Sequence, residues 1–139
     1  MGDSAQGIAP WLFQIEPYGG ESFGHYLGRF RRANVLSSNQ LAVLLGVAGQ
    51  LVAYWEVPSR RRVPDRLQKQ QLCSMLGLDR SRLDEMWLPK EVPLHLPTRL
   101  CAVCYGVEPC HQVGWQQAHQ ADCEVHDLRL LSGCPQYHH

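Results

Sequence analysis

Apolar residues recur along the first half of the chain at the spacing of helix faces. Phe23, Tyr26, Leu27 and Phe30 stand at i, i+3, i+4 and i+7, which places them on one side of a helix. Ser22, directly before them, has the side chain of an N-cap. Gly24 and Gly28 weaken that helix but let a neighbour pack close to it. Ser37-x-x-Gln40 is a capping box opening a second helix, with Leu41, Leu44 and Leu45 on its apolar face and Gly46 at its end. A third helix, about Ala48 to Trp55, carries Leu51, Val52 and Trp55. Two short helices joined by a glycine-containing turn match the helix-turn-helix arrangement. Leu41, Leu45, Val47, Val52 and Trp55 take its buried positions, and Ala42 is small where the helices cross. An ordinary helical hairpin would also place glycine at its turn.

Beyond Trp55 the pattern is looser. Leu67, Leu72, Met75 and Leu76 are expected on one helix face, and a short helix is expected to begin near Asp79. "LPKEVPLHLP" holds three prolines in ten residues and reads as a linker closing the helical part near residue 97. At the other end, "APWLFQIEPYGGES" is punctuated by Pro10, Pro17 and Gly19-Gly20 and reads as extended. Trp11, Leu12, Phe13 and Ile15 within it either fold back onto the core or anchor a partner. The expected organisation is a tail over 1–21, a helical domain over 22–97 and a small module over 98–139.

Charge changes this picture more than composition does. Net charge is zero over 139 residues, yet Arg29 to Lys69 carries eight basic residues against two acidic. Residues 71–139 carry five basic and eight acidic. A basic module suits nucleic acid, and a solvated face is the plainer reading. "PSRRRVPD" reads as an exposed basic linker whose arginines would contact phosphates rather than read bases. "MGDSAQGIAP" lacks the charged and apolar regions of a secretory signal, and the longest apolar run is too short to cross a bilayer. A cytoplasmic protein is expected, in which clustered cysteines point to metal or catalysis before disulfides.

The strongest chemical signal lies between Leu100 and His126, which hold four of six cysteines and three of seven histidines. Cys101-x2-Cys104, eighteen residues, then Cys123-x2-His126 fits the spacing of a tetrahedral zinc site with one imidazole ligand. Four protein ligands leave no open position, so one structural Zn2+ is expected. Cys110 and His111 remain alternatives for one ligand. Cys73 reads as core, and Cys134, in "CPQYHH", as a ligand without a complete second site. Neither His111-Gln-Val nor His126-Asp-Leu supplies the glutamate of a zinc deaminase, so no enzyme is expected. The expected fold class is mainly α, a helix-turn-helix domain followed by a zinc-ribbon or zinc-finger module.

"PWLFQIEPYGGESFGHYLGRFRRAN", the two short helices, "RLCAVCYGVEPCHQVGW" and "CEVHDLRLLSGCP" together resemble the TniQ family. The likeness covers nearly the whole chain in the same order, and is nearest to the short TniQ of type V-K CRISPR-associated transposons. It rests on Gly-Glu-Ser before the first helix, Arg-x-Cys-x-x-Cys-Tyr and Cys-x-x-His-x-Leu. What the resemblance implies is a bacterial, non-enzymatic adaptor for target selection in transposition. It would join an RNA-guided CRISPR effector on target DNA to TnsC, an AAA+ ATPase that forms filaments on DNA and recruits the transposase. The family's first zinc site falls on Cys101, Cys104, Cys123 and His126. A second zinc unit would open at Cys134, but Tyr137 stands at the place of its next ligand. Under this reading Arg31, Arg32, Arg60, Arg61 and Arg62 lie along guide RNA or target DNA, and Trp11 docks on the ATPase. The alternative is a helix-turn-helix transcription regulator with a structural zinc.

Overall fold

A computed structural model describes residues 12–132; Trp11 and Cys134 lie outside them. The described chain is mainly helical with little strand. Its helices are α1 (Phe23–Ala33), α2 (Ser38–Leu45), α3 (Gly49–Trp55), α4 (Arg66–Leu76), α5 (Arg80–Asp84) and α6 (Ala102–Val107), and a 3-10 turn spans Val113–Gln116. None of these helices is long and apolar enough to cross a membrane.

Caps explain most of the helix starts. Ser22 Oγ accepts from the backbone of His25 at the start of α1. In α2, Ser37 and Gln40 make both bonds of the capping box, and Gly46 closes the helix in the left-handed conformation at φ 72. Asp65 and Gln68 build a second capping box at α4. The three residues Gly46–Ala48 then connect α2 to α3, and the two helices pack on each other. Gly24 lets α1 approach the end of α3: a Cβ there would lie 2.8 Å from the Trp55 carbonyl oxygen.

The main core gathers Phe23, Tyr26, Leu27 and Phe30 of α1 with Leu41, Leu45, Val52, Trp55, Leu72 and Met75. Leu12 is buried in the same core with Ile15 packed against it, so part of the N-terminal apolar stretch folds back. Cys73 is partly buried against the same core. Leu67 does not share the face of Leu72, Met75 and Leu76 and is 71% exposed. Leu72 is five positions past Leu67, which puts them about 140° apart around a helix.

The proline-rich stretch after α5 is held on both sides. Arg61 donates to the carbonyls of Pro89 and Val92, the latter at 2.7 Å. On its other side, His95 N donates to Gln116 O at 2.7 Å and Ala118 N to Pro93 O at 2.8 Å. The last third is thereby seated on the helices rather than tethered to them.

Candidate metal centre

Two short segments build the cluster. Cys101 is the N-cap of α6, so Cys104 sits in the first turn and its N–H points back to Cys101 Sγ at 3.5 Å. Cys123 and His126 occupy a tight turn closed by Asp127 N to Cys123 O at 2.8 Å and Cys123 N to Leu128 O at 2.7 Å. Asp127 adopts φ 53, the left-handed region that aspartate tolerates better than most residues. The bridge between Leu100 and Leu131, with bonds of 2.9 and 2.8 Å, brings the two segments side by side.

One ligand atom from each of Cys101, Cys104, Cys123 and His126 lies within 4.8 Å of the others. Cys104 Sγ is 3.6 Å from Cys123 Sγ. His126 Nδ1 is 3.2 Å from Cys104 Sγ, 3.6 Å from Cys101 Sγ and 3.9 Å from Cys123 Sγ. The set can hold one metal ion. Burial, together with hydrogen bonds to Cys123 and Cys101, pushes the Cys104 thiol up to about 12. Burial also opposes the Cys123 thiolate, but N–H donors of His126 and Val125 and the His126 ring bring it down to about 6. Cation binding therefore has to displace protons from the cluster.

Cys110 and His111, the alternative ligands, serve elsewhere. Cys110 is buried and accepts from Gln112 Nε2 at 3.2 Å. His111 is buried between Ser22 Oγ at 2.9 Å and Gln116 Oε1 at 3.0 Å. Gln116 Oε1 also accepts from Arg99 N, so it is an amide oxygen facing a donor, and His111 Nε2 carries the proton. Nδ1 is then the acceptor for the Ser22 hydroxyl.

Burial brings His111 down to about 4 from 6.5. Its neutral form therefore stabilises the fold above pH 6.5, and that contribution is lost as pH falls toward 4, because the unfolded chain protonates first. The shift corresponds to about 3 kcal/mol at full expression. Urea midpoints measured between pH 6.5 and 5 should fall more steeply for the wild type than for His111→Gln at equal metal content. Parallel curves would show that the site is not titrating.

Two residues that the spacing of ligands does not announce hold the centre in place. Arg99 is buried and donates to the carbonyls of Trp115 at 2.9 Å, Gln117 at 2.8 Å and Gln120 at 2.7 Å. Gln116 Nε2 donates to His95 O at 2.7 Å and Pro97 O at 3.2 Å. The Arg-x-Cys pattern was the available signal for Arg99; for Gln116 there was none.

The predicted basic residues separate into two groups. Arg31 forms a forked pair with Glu56 at 2.7 and 3.0 Å and also donates to Leu36 O. Arg61 is turned inward onto Pro89 and Val92. Arg32 is exposed, and Arg60 and Arg62 lie over the Tyr54 ring at 4.7 and 5.9 Å. No protein-family model matches the chain, and no curated protein matches it.

Proposed function

We propose that this protein is a target-selection adaptor of the TniQ kind, working by binding alone and holding one structural Zn2+. The zinc reading is supported by distance. Zinc bonds of about 2.3 Å to sulfur and 2.0–2.1 Å to nitrogen, at tetrahedral angles, place sulfurs about 3.8 Å apart and sulfur and nitrogen about 3.6 Å apart. The cluster's 3.6 Å sulfur pair and its 3.2–3.9 Å sulfur–nitrogen contacts fit that frame without rearrangement. Three thiolates and an imidazole complete the ion's coordination, which suits support of a fold and not turnover of a substrate.

One observation carries the adaptor reading: the two stretches behind the TniQ resemblance, far apart in sequence, meet in one seam. Gly20 takes φ 76 and its carbonyl accepts from Val113 N at 2.8 Å. Glu21 bridges Gln112, and Ser22 meets His111 through both its backbone and its hydroxyl. These motif residues are spent on assembly, which leaves the surface for partners. On that surface α2 and α3 act as the helix-turn-helix unit, with Gln50 and Ala53 open on α3. Arg32, Arg60 and Arg62 are the cations free to follow a phosphate backbone, whereas Arg31 and Arg61 hold the fold.

In this role the protein links an RNA-guided effector on target DNA to the TnsC filament. The test is co-sedimentation of zinc-loaded protein with TnsC filaments formed on DNA with ATP. It should pellet with them. The Trp11→Ala variant should pellet less while melting at the same temperature, since Trp11 is assigned to the partner. Arg60→Ala with Arg62→Ala should lower the salt slope of nucleic-acid binding by about two. Folded, zinc-loaded protein that stays in the supernatant would sink the adaptor reading and advance the transcription regulator.

A further inference from the structure

The last third of the chain carries an open, largely apolar groove that borders the Cys104, Cys123 and His126 side of the ligand cluster. Its volume is about 530 Å³, and Val107, Val113, Trp115 and Val125 line it, with Glu108 and Glu124 among the lining residues. Val107 ends α6, and Val125 sits inside the Cys123–His126 turn. Both project into solvent, at 80% and 79% exposure. Both valines line this one groove, Val107 three residues past Cys104 and Val125 between Cys123 and His126. Scattered single apolar residues on a surface mean little, but a concave group beside a rigid centre marks a contact site.

Charge says what kind of partner fits. From Leu100 to Leu128 the chain has no lysine or arginine, while Glu108, Asp122, Glu124 and Asp127 are acidic. All four carboxylates are exposed. Of the nearby cations, Arg99 is buried on three carbonyls and exposed Arg129 pairs with Asp122 at 3.6 Å, which leaves Glu108 and Glu124 as the groove's own carboxylates. The groove therefore joins an apolar floor to Glu108 and Glu124, with no lysine or arginine among its described lining residues. Nucleic acid is repelled by such a surface, and an acidic peptide equally so.

We propose that this groove is a docking site for a basic peptide segment of a partner protein, one that places apolar side chains against Val107, Val125 and Trp115. Basic groups of the segment meet Glu108 and Glu124 at the rim, where they set orientation and rate of encounter more than affinity. The apolar contacts at the centre carry the binding. This site is independent of the adaptor role: it holds for any partner that presents such a segment.

The test is selection of a random dodecapeptide library on the full, zinc-loaded chain, with counter-selection on Val107→Glu/Val125→Glu. Both valines are exposed, so the paired change leaves the cores intact, which matching melting curves would verify. Enriched peptides should be basic with two or more large apolar residues, and should lose at least tenfold in affinity on the counter-selected variant. A second variant, Glu108→Lys/Glu124→Lys, keeps the apolar floor and should reverse the preference toward acidic peptides. Three results would overturn the proposal. The first is enrichment that ignores both variants. The second is a dimer of the chain that Val107→Glu/Val125→Glu dissolves, which makes a second copy the occupant. The third is enrichment only after residues 133–139 are cleaved off, which makes the chain's own end the occupant.

Discussion

Chelation of a metal ion held by Cys101, Cys104, Cys123 and His126 should unfold residues 98–132 while α1 to α5 stay helical. The cluster around the ligands buries four residues, Cys101, Trp115, Cys123 and Leu130, and two of these are themselves ligands. Without an ion, Trp115, Leu130 and Cys110 are the other buried apolar side chains among the described residues of this segment, far short of the ordering entropy of roughly 1–2 kcal/mol for each of its residues. Zinc binding to a structural site of this size contributes about 10–16 kcal/mol at neutral pH. The helical core has its own fifteen buried residues and does not depend on that energy. Amide exchange followed by NMR is the direct reading: protection should vanish from residues 100–131 and persist in α1 and α4. Cys104→Ser should do the same without chelator. The melting temperature of the helical part should drop by several degrees, because the seam through Ser22 and His111 is lost with the module. Protection that survives chelation throughout would mean that the ion is not structural.

The second large effect lies at Glu21. Its side chain is fully buried at the base of α1. Burial alone would raise its carboxyl, but hydrogen bonds from Arg29, His25 and the Tyr18 backbone bring it down to about 2. Arg29 makes a two-point contact at 2.8 Å with each oxygen, His25 Nδ1 lies at 2.5 Å, and Tyr18 N donates at 3.0 Å. The Arg29 guanidinium also stacks 4.4 Å from the Tyr18 ring centre and donates to Glu16 O at 2.9 Å. Arg29→Ala leaves the carboxylate buried with half its partners, and should cost about 3–5 kcal/mol in urea unfolding at pH 7. Glu21→Gln added to Arg29→Ala should recover part of that loss, because the uncompensated charge is then gone. A single Arg29→Ala that costs under about 1 kcal/mol would place the pair among ordinary surface salt bridges.

What could be read before folding was local. Ser22, Ser37 and Gln40 announce α1 and α2 through bonds made within four residues, and the capping geometry is as the spacing implies. The four clustered ligand residues were legible for the same reason, since two residues lie between the members of each pair. Asp65-x-x-Gln68 carries the same signature as Ser37-x-x-Gln40, yet it was passed over behind the three arginines. Nothing local distinguishes Arg61 from Arg60 and Arg62; the carbonyls of Pro89 and Val92 do, from 28 and 31 residues away. Glu21, Arg99 and Gln116 escaped for that same reason. Each is a polar residue whose burial depends on partners that only the folded chain supplies, and Arg29 read as one more surface charge until Glu21 was found beneath it.

The pairing of Ser22 with His111 spans 89 residues, and this separation matters during synthesis. At about 5–20 residues per second, a ribosome delivers His111 roughly 4–18 s after Ser22. Throughout that interval the nascent chain has α1 available but not the segment that seals its start. Glu21 and Ser22, dry in the finished protein, stand in water meanwhile. Translation that halts before His111 therefore releases a fragment with an unsealed polar edge. That edge is a physical difference by which quality control can separate unfinished copies from complete ones.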